Sequence, residues 1–415
     1  MVRKFLYGCV AVAVLMFSGG NVFASSGEHL EKELESLKER LNLLENKSEP
    51  DNKGLLSDLV IGGGITLVLQ NAQNANGEDD SLYNGKTPTV ASYSVDLGFE
   101  KTFDENNKMF IHLETGQGSI ESQLQLFSNV NRDSDESDAV ISVTEAWYEH
   151  SFGGTGFKLN AGKIDATGGI DENAYANDET EQFLGNIFRN SSVIDLPDDN
   201  SFGLKLAFES DKVDFTVQYL SADGLWQDVT KNIFMSGQVN FKPGLIQEKE
   251  GNYRLYAWTN TKKYTKWTDP SETDCKNYGF GISFDQQLSD LAGVFARYGW
   301  EDGKVYFDAD PSVSGDDVSL FQNWSLGVQV MPALLSTDDV FALAYGQIVP
   351  SSDYKDVNGL NGETENHIEI YYKWQVNDYL SITPDVHIIQ NPFGKDASNG
   401  DSTIFVSGIR TQIKF

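Results

Sequence analysis

Segments of strand length in which apolar and polar side chains alternate recur through most of this sequence, and this pattern constrains the fold most strongly. The segment from His367 to Val376 shows it clearly. One set is Ile368, Ile370, Tyr372, Trp374 and Val376, and the other is His367, Glu369, Tyr371, Lys373 and Gln375. A two-residue period places each set on its own face of a β-strand. We count sixteen such segments between residues 55 and 415.

The connections between these segments alternate between short and long. The seven short ones are 104–107, 153–156, 211–212, 242–251, 287–290, 332–338 and 377–379. The eight long ones are 71–88, 119–138, 166–200, 222–231, 261–276, 301–322, 349–364 and 391–402. Short turns on one side and long loops on the other are typical of outer-membrane barrels. A closed wall of about sixteen strands is too wide to be filled by its own side chains. Its apolar face is therefore expected to contact lipid outside, and its polar face to contact water inside. We therefore predict an all-β fold, a 16-stranded antiparallel transmembrane β-barrel over residues 55–415.

The two ends of the sequence predict the compartment. Arg3 and Lys4 precede an apolar run, and Val22-Phe23-Ala24 offers a small-residue cleavage site, so residues 1–24 are predicted to be a signal peptide. An even strand count puts both termini on the short-turn, periplasmic side. Phe415 ends the last alternating segment. We expect Phe415 to close that strand against the first one and to be recognised by the barrel-insertion machinery.

Residues 25–54 have a different periodicity. Leucines recur at steps of four and three residues, at Leu30, Leu34, Leu37, Leu41 and Leu44. This is the spacing of a coiled-coil seam. A short periplasmic coiled coil joining parallel copies predicts a homotrimer. The alternative is a single amphipathic helix lying on the barrel rim, because so short a seam is marginal alone.

Charge and reactive residues exclude several classes of function. The net charge of −31 becomes −33 once Arg3 and Lys4 are removed with the signal, which argues against nucleic acid as a partner. Cys275 is the single cysteine of the mature chain, so it forms no internal disulfide. His150 and Ser151 point to opposite faces of a strand and cannot cooperate in a triad. We predict no enzyme activity, no cofactor and no metal site.

Four stretches carry a family resemblance when taken in order. They are TEAWYEHSF…GFKLNAGKID (144–165), GNYRLYAWTNT (251–261), NYGFGISFDQQLSDLAGVFARYGWED (277–302) and ENHIEIYYKWQVNDYLSITPDVHIIQNPFG (365–394). Together they resemble the carbohydrate-selective porins of Gram-negative outer membranes, the OprB-like family. The resemblance implies a passive channel in the outer membrane with a preference for sugars. Outer-membrane lipids and lipopolysaccharide would surround it.

Other functions remain open at this point. The strongly acidic charge also fits a general cation-preferring porin without a sugar site. An outer-membrane hydrolase would need a serine, a histidine and an acid converging near the rim. Carboxylate groups in the long loops, such as Asp133 and Asp135, are expected to be solvated, and the alternative is divalent cations bound among lipopolysaccharide.

A sugar channel needs hydrogen-bonding groups of both kinds and aromatic faces for the apolar side of the ring. Every second residue of a strand points to the same face, and this strand parity places a set of such side chains in the lumen. The predicted sugar-binding residues are Glu145, Trp147, Arg254, Trp258, Arg297, Glu369, Lys373 and Arg410. Charge of both signs suits neutral polyols, because it orients dipoles without selecting one ion. The alternative for any one of them is that it only solvates and braces the wall.

The longest connection, residues 166–200, is predicted to fold into the lumen as a constriction. Its apolar residues would anchor it against the wall. The residues assigned to this constriction loop are Lys163, Asp165, Phe183, Phe188 and Arg189. An external lid is the alternative.

Overall fold

The computed structural model describes residues 57–77, 87–133, 139–224, 226–246, 249–307 and 318–415. Within these ranges the chain forms seventeen β-strands. They are β1 (Leu59–Gln73), β2 (Thr89–Asp104), β3 (Asn107–Gln117), β4 (Ser142–Ser151), β5 (Phe157–Ile164), β6 (Ser201–Phe208), β7 (Val213–Ser221), β8 (Ile233–Phe241), β9 (Gly251–Lys266), β10 (Cys275–Ser289), β11 (Ala292–Glu301), β12 (Val305–Tyr306), β13 (Leu320–Val330), β14 (Val340–Pro350), β15 (Glu365–Asn377), β16 (Leu380–Gln390) and β17 (Ile404–Lys414).

The sheet closes on itself. Each strand pairs antiparallel with its neighbour, and β1 pairs with both β2 and β17. Gly63 and Phe415 exchange two backbone hydrogen bonds of 3.0 Å at the seam. Since β11 pairs directly with β13 and the two-residue β12 pairs with β9, sixteen strands form the wall. The predicted closed barrel of sixteen antiparallel strands is confirmed.

Two chemically different faces follow from the strand period. Along β6, the exposed side chains of Phe202, Leu204 and Leu206 alternate with Gly203 and Lys205. The same alternation runs through the other strands, so one face of the wall is an apolar surface and the other is polar. A continuous exposed apolar surface of this size marks contact with a membrane or a partner. We call the apolar face outer and the polar face inner.

The connections alternate in length as predicted. Turns such as the one between β2 and β3 are short, and those on the other side are long. The long connections contain two short α-helices, α1 (Asn186–Arg189) and α2 (Ser352–Asn358), and 3-10 turns at Glu121–Gln123, Ala166–Gly169 and Pro392–Lys395. Among the described residues, no helix has both the length and the apolar character needed to cross a membrane.

Several sequence predictions lie outside the described residues. They include the signal peptide at 1–24, the heptad helix at 25–54 and most of the acidic clusters of the long loops. Asp133, which is described, is buried rather than solvated, and it accepts a hydrogen bond of 2.9 Å from Ser94 Oγ on β2. The expectation that this carboxylate is solvated is therefore wrong, because the loop turns it toward the inner wall.

Candidate channel lining

The β5–β6 connection lies against the inner face of the barrel. Phe183, Ile187 and Phe188 are almost completely buried. The ring of Phe183 lies 5.0 Å from that of Tyr371 and 5.6 Å from that of Phe295, both on the wall. Burying a side chain of this size contributes about 1.5–3 kcal/mol. These contacts fix the middle of the connection, including helix α1, against β11, β14 and β15.

A buried ion pair fixes the same connection to β11. The guanidinium of Arg297 lies 3.1 Å from the carboxylate of Asp171, and both side chains are 0% exposed. Arg297 also donates to the backbone carbonyls of Asp171 and Phe188. Burial raises the pKa of Asp171, and the charge of Arg297 opposes that rise. Nε contacts the carboxylate and the terminal nitrogens donate to the two carbonyls, so most of the donors of the guanidinium are satisfied.

A wall carboxylate holds the connection on the side of β15. Glu369 Oε1 accepts from the Leu184 backbone N–H at 2.7 Å, and Oε2 accepts from the Gly185 N–H at 2.9 Å. These bonds satisfy backbone donors just before helix α1, which are otherwise left without partners. Glu369 is fully buried by this contact.

Basic residues of the last strands hold the remaining part of the connection. Arg410 donates to the Glu179 carbonyl at 2.5 Å, and Arg189 binds the Glu179 carboxylate. Lys373 and Lys414 lie 3.1 and 2.7 Å from the carboxylate of Glu181. Burial alone would raise the pKa of Glu181, but the two lysines outweigh it and lower the pKa below its ordinary value.

Glycines on the inner face leave room for the connection. A Cβ on Gly299 would lie 2.1 Å from Ser191 Oγ, and one on Gly346 would lie 2.7 Å from Ile187 Cδ1. A Cβ on Gly293 would lie 2.0 Å from the ring of Tyr175. Real Cβ contacts are not this short, so any larger residue at these three positions would force the side chains of the connection, or the connection itself, to shift.

A second long connection, between β3 and β4, supports the first. The Arg132 N–H donates to the Leu184 carbonyl and the Asn186 N–H donates to the Asn129 carbonyl, both at 2.9 Å. Its apolar residues, such as Ile120 and Val130, are buried against side chains of β1, β16 and β17. The sequence analysis did not predict this inward packing.

Five of the eight predicted sugar-binding residues lie on the inner face but are covered. Arg254, Trp258, Arg297, Glu369 and Arg410 are all buried. Trp258 packs in an apolar cluster with Ile170 and Phe234. Arg254 donates to Asp285 at 2.5 Å, and Asp285 also accepts from the Ala174 N–H of the connection. These contacts hold the five side chains against the wall or the connection, and Arg254 also borders a cavity along strands β6–β9.

The inner face of β2–β5 is open instead. Glu145 and Trp147 are half-buried there, and the Trp147 Nε1–H donates to Glu145 Oε2 at 2.9 Å. The Trp147 ring lies 5.3 Å from that of Phe110, and Lys108 Nζ lies 5.5 Å from its centre. We call Phe110, Trp147 and the charged residues around them the aromatic platform. Those charged residues are Lys108, Glu145 and Glu149.

A cavity lies farther along the inner wall, beyond β5 as seen from this platform. Its volume is about 510 Å³, and it lies between the β5–β6 connection and strands β6–β9. Its ionisable lining residues are Glu172, Glu209, Asp214, Lys205, Lys242 and Arg254. Three are acidic and three are basic, so the lining is close to neutral while rich in donors and acceptors.

Lys163 does not line the lumen, which corrects the prediction. It pairs with Ala146 and Phe202, which belong to the outer face, and its Nζ binds Asp199 at 2.9 Å. The next residue, Ile164, is the one that points inward and is buried. Asp165 caps the following 3-10 turn by accepting from the Thr167 N–H at 2.9 Å.

Two clusters of carboxylates and imidazoles occur on the inner face of the described part of the chain. They are Asp96, His112 and Glu114, and Glu369, Asp385 and His387, each with ligating atoms within 4.8 Å of one another. The spacing along the sequence did not predict them, because strand register brings the members together. In the second cluster the loop amides already bind Glu369. We assign that cluster to the bracing contacts.

Some functional residues were missed although the sequence contains a pattern that identifies them. Phe110 shares strand parity with Lys108 and His112, so it is an apolar ring on a polar face. Gly293 and Gly299 share parity with Arg297 on β11. An aromatic residue at an inward-facing strand position therefore indicates a stacking surface. A glycine at such a position indicates a place where a loop approaches the wall.

Comparisons with known proteins agree with this arrangement. The chain matches the family model described as carbohydrate-selective porin, OprB family, over residues 110–415. The chain belongs to the OprB family of carbohydrate-selective porins. This confirms the resemblance noted in the sequence, and the protein is a channel for carbohydrates in the bacterial outer membrane.

Solved structures share the fold of this OprB-family porin. The high-pH structure of Pseudomonas putida OprB superposes with a TM-score of 0.72 at 14% identity, covering 86% of this chain and 94% of that one. The outer membrane channel DcaP of Acinetobacter baumannii gives 0.52 at 10% identity, covering 86% and 97%. The Vibrio cholerae OmpT variant lacking loop L8 gives 0.53 at 11% identity, covering 86% and 99%. None of the curated protein sequences matches this chain. The family and the fold are those of channels rather than enzymes.

Proposed function

We propose that sugars pass along the open inner face of β2–β5 and are held transiently at the aromatic platform. The observation that carries the proposal is the half-exposed Trp147 ring, flanked by Glu145 and by Lys108. An aromatic face matches the apolar C–H side of a pyranose ring, and charged groups beside it match the hydroxyls. Other inward aromatics, such as Trp258 and Tyr371, are buried and cannot offer a face to solute.

The β5–β6 connection acts as the constriction in this proposal. Its packing against β9–β15 and β17 covers that part of the wall and leaves the passage on the platform side. The predicted anchors Phe183 and Phe188, together with Arg189, then set the width of the passage without touching the sugar. Asp165 lies at the start of this connection, where its side chain accepts from the Thr167 N–H and caps the 3-10 turn.

A cation-preferring channel is the second candidate. The open face carries five carboxylates, Asp96, Glu100, Glu114, Glu145 and Glu149, and two lysines, Lys108 and Lys158. Rings of carboxylates favour cations. The reversal potential in a salt gradient measures this preference, and sugar block measures the first candidate. Cation preference without sugar block would favour the second.

Replacing Trp147 by alanine is expected to weaken sugar block of the channel. We expect the dissociation constant for glucose to rise about tenfold, equivalent to about 1.4 kcal/mol, because one aromatic contact is lost. The measurement is single-channel conductance in planar bilayers with glucose titrated in. Trp324→Ala is the matched control, since Trp324 lies on the outer face and binds Gln347. Equal block in Trp147→Ala and wild type would remove the platform from the proposal.

We also propose that three copies assemble through the heptad segment. Parallel helices with leucines at both seam positions would associate in the periplasm and tie three barrels together. The outer apolar face is continuous enough to allow contacts between barrels. The surrounding partners are outer-membrane lipids and lipopolysaccharide, and the Phe415 end of β17 would be recognised by the insertion machinery.

Deleting residues 28–47 is expected to convert the trimer to monomers in mild detergent. The barrel strands begin at Leu59, so the deletion leaves the wall intact. Light scattering on the purified protein measures the mass. A control carries glutamine at Glu33 and Lys38, which do not lie on the leucine seam. An unchanged trimer after the deletion would show that the helix is not the assembly element.

A further inference from the structure

The cavity beside the aromatic platform is a second place where a solute can be held. Its volume of about 510 Å³ falls in the roughly 300–1,000 Å³ range of ligand-binding cavities. This is more room than one pyranose ring fills. The walls are strands β6–β9 on one side and the loop residues Gly168, Glu172 and Asn173 on the other.

Strand register places the near edge of this cavity, at Lys205 on β6, across β5 from Trp147 on β4. Trp147 pairs with Gly162, which pairs with Gly203. The next inward row, two residues along each strand, holds Glu149, Asn160 and Lys205. Two residues of strand correspond to about 7 Å. Two strand spacings across the sheet, about 9–10 Å, also separate Trp147 on β4 from Lys205 on β6, so the two side chains start about 12 Å apart, comparable with the end-to-end length of a disaccharide.

The cavity also has hydrogen-bonding capacity that the protein does not use. Lys205 Nζ donates to the Gly168 carbonyl at 3.1 Å, and within the described residues it has no ion pair with a carboxylate. Two of its three donors are therefore available. Across the cavity, Glu172 accepts from Gln238 through Oε2, which leaves its other oxygen for a hydroxyl. A donor and an acceptor facing one space suit a neutral polyhydroxylated solute.

We propose that this channel selects disaccharides and longer neutral saccharides over monosaccharides, with one ring on the aromatic platform and the next in the cavity against Lys205 and Glu172. The proposal rests on the function proposed above for the platform. It adds a second binding site in line with the first, so that linked rings gain contacts that a single ring cannot make at once.

The test compares block by maltose and by glucose in planar bilayers, for wild type and for Lys205→Gln. In the wild type, maltose is expected to block with a dissociation constant about tenfold lower than that of glucose, as one added charge-assisted hydrogen bond provides. Lys205→Gln should remove most of that difference while leaving glucose block unchanged. Lys212→Gln makes the same charge change in an exposed turn and should behave as wild type.

The outcomes separate the two proposals. Equal dissociation constants for maltose and glucose in the wild type would overturn the second site and leave the platform in place. Loss of glucose and maltose block by the same factor in Lys205→Gln would overturn it as well. Absence of block by either sugar would overturn both proposals together.

Discussion

Replacing Arg297 by methionine is expected to lower the free energy of unfolding by about 3–5 kcal/mol and to widen the channel. Methionine leaves Asp171 as a buried carboxylate without its partner, and an uncompensated buried charge has a cost of this size. It also removes the donors to the carbonyls of Asp171 and Phe188, which hold the connection on β11. Heat-dependent mobility on gels measures the stability, and single-channel conductance measures the width, which should increase.

Two further variants test whether the effect of Arg297→Met comes from loss of the ion pair with Asp171. Arg132→Met removes an arginine whose side chain is exposed and should change neither property. Arg297→Lys keeps the positive charge but not the planar set of donors, so its stability should fall between the other two. Unchanged stability and conductance in Arg297→Met would show that the ion pair does not hold the connection.

Replacing Gly299 by valine is expected to displace the β5–β6 connection without removing any charge. The new Cβ would lie 2.1 Å from Ser191 Oγ and 2.6 Å from Val193 Cγ2, so the loop has to move away from β11. Overpacking of this kind costs about 1–3 kcal/mol. The conductance should rise, and the dissociation constant for sugar block should rise with it, because the constriction no longer positions the solute.

Gly237→Val is the matched control for Gly299→Val. Gly237 also lies in the middle of a strand, but it pairs with Val217 and Ala257 on the outer face. The nearest atom to its added Cβ is the Thr216 carbonyl at 4.0 Å. Equal conductance changes in both variants would point to strand perturbation and would contradict displacement of the loop as the cause.

The barrel could be predicted because its signal is local and repeated. Each strand needs one apolar face, so a two-residue period appears sixteen times, and the alternation of gap lengths orients the chain. Parity also placed Arg297 and Glu369 correctly on the inner face. Lys163, which is assigned to the constriction loop and not placed by parity, faces outward beside Phe202, and the inward position is taken by Ile164.

The covering of the inner wall could not be predicted from periodicity. Whether Arg297 meets solute or a loop depends on Asp171, more than a hundred residues away along the chain, and the loop has no repeating pattern to reveal its path. The open face of β2–β5 is defined only by what the loops leave uncovered. For this reason Trp147 and Arg254, which are equivalent by parity, have different environments in the folded barrel.

The central claim is that the open face of β2–β5 binds sugars as they pass, and sugar block of the wild-type channel tests it most directly. Single-channel conductance of the purified protein is measured in planar bilayers while glucose and maltose are titrated in, with the reversal potential recorded in a salt gradient. The account predicts saturable, concentration-dependent block. Open channels with strong cation preference and no block at any sugar concentration would contradict it.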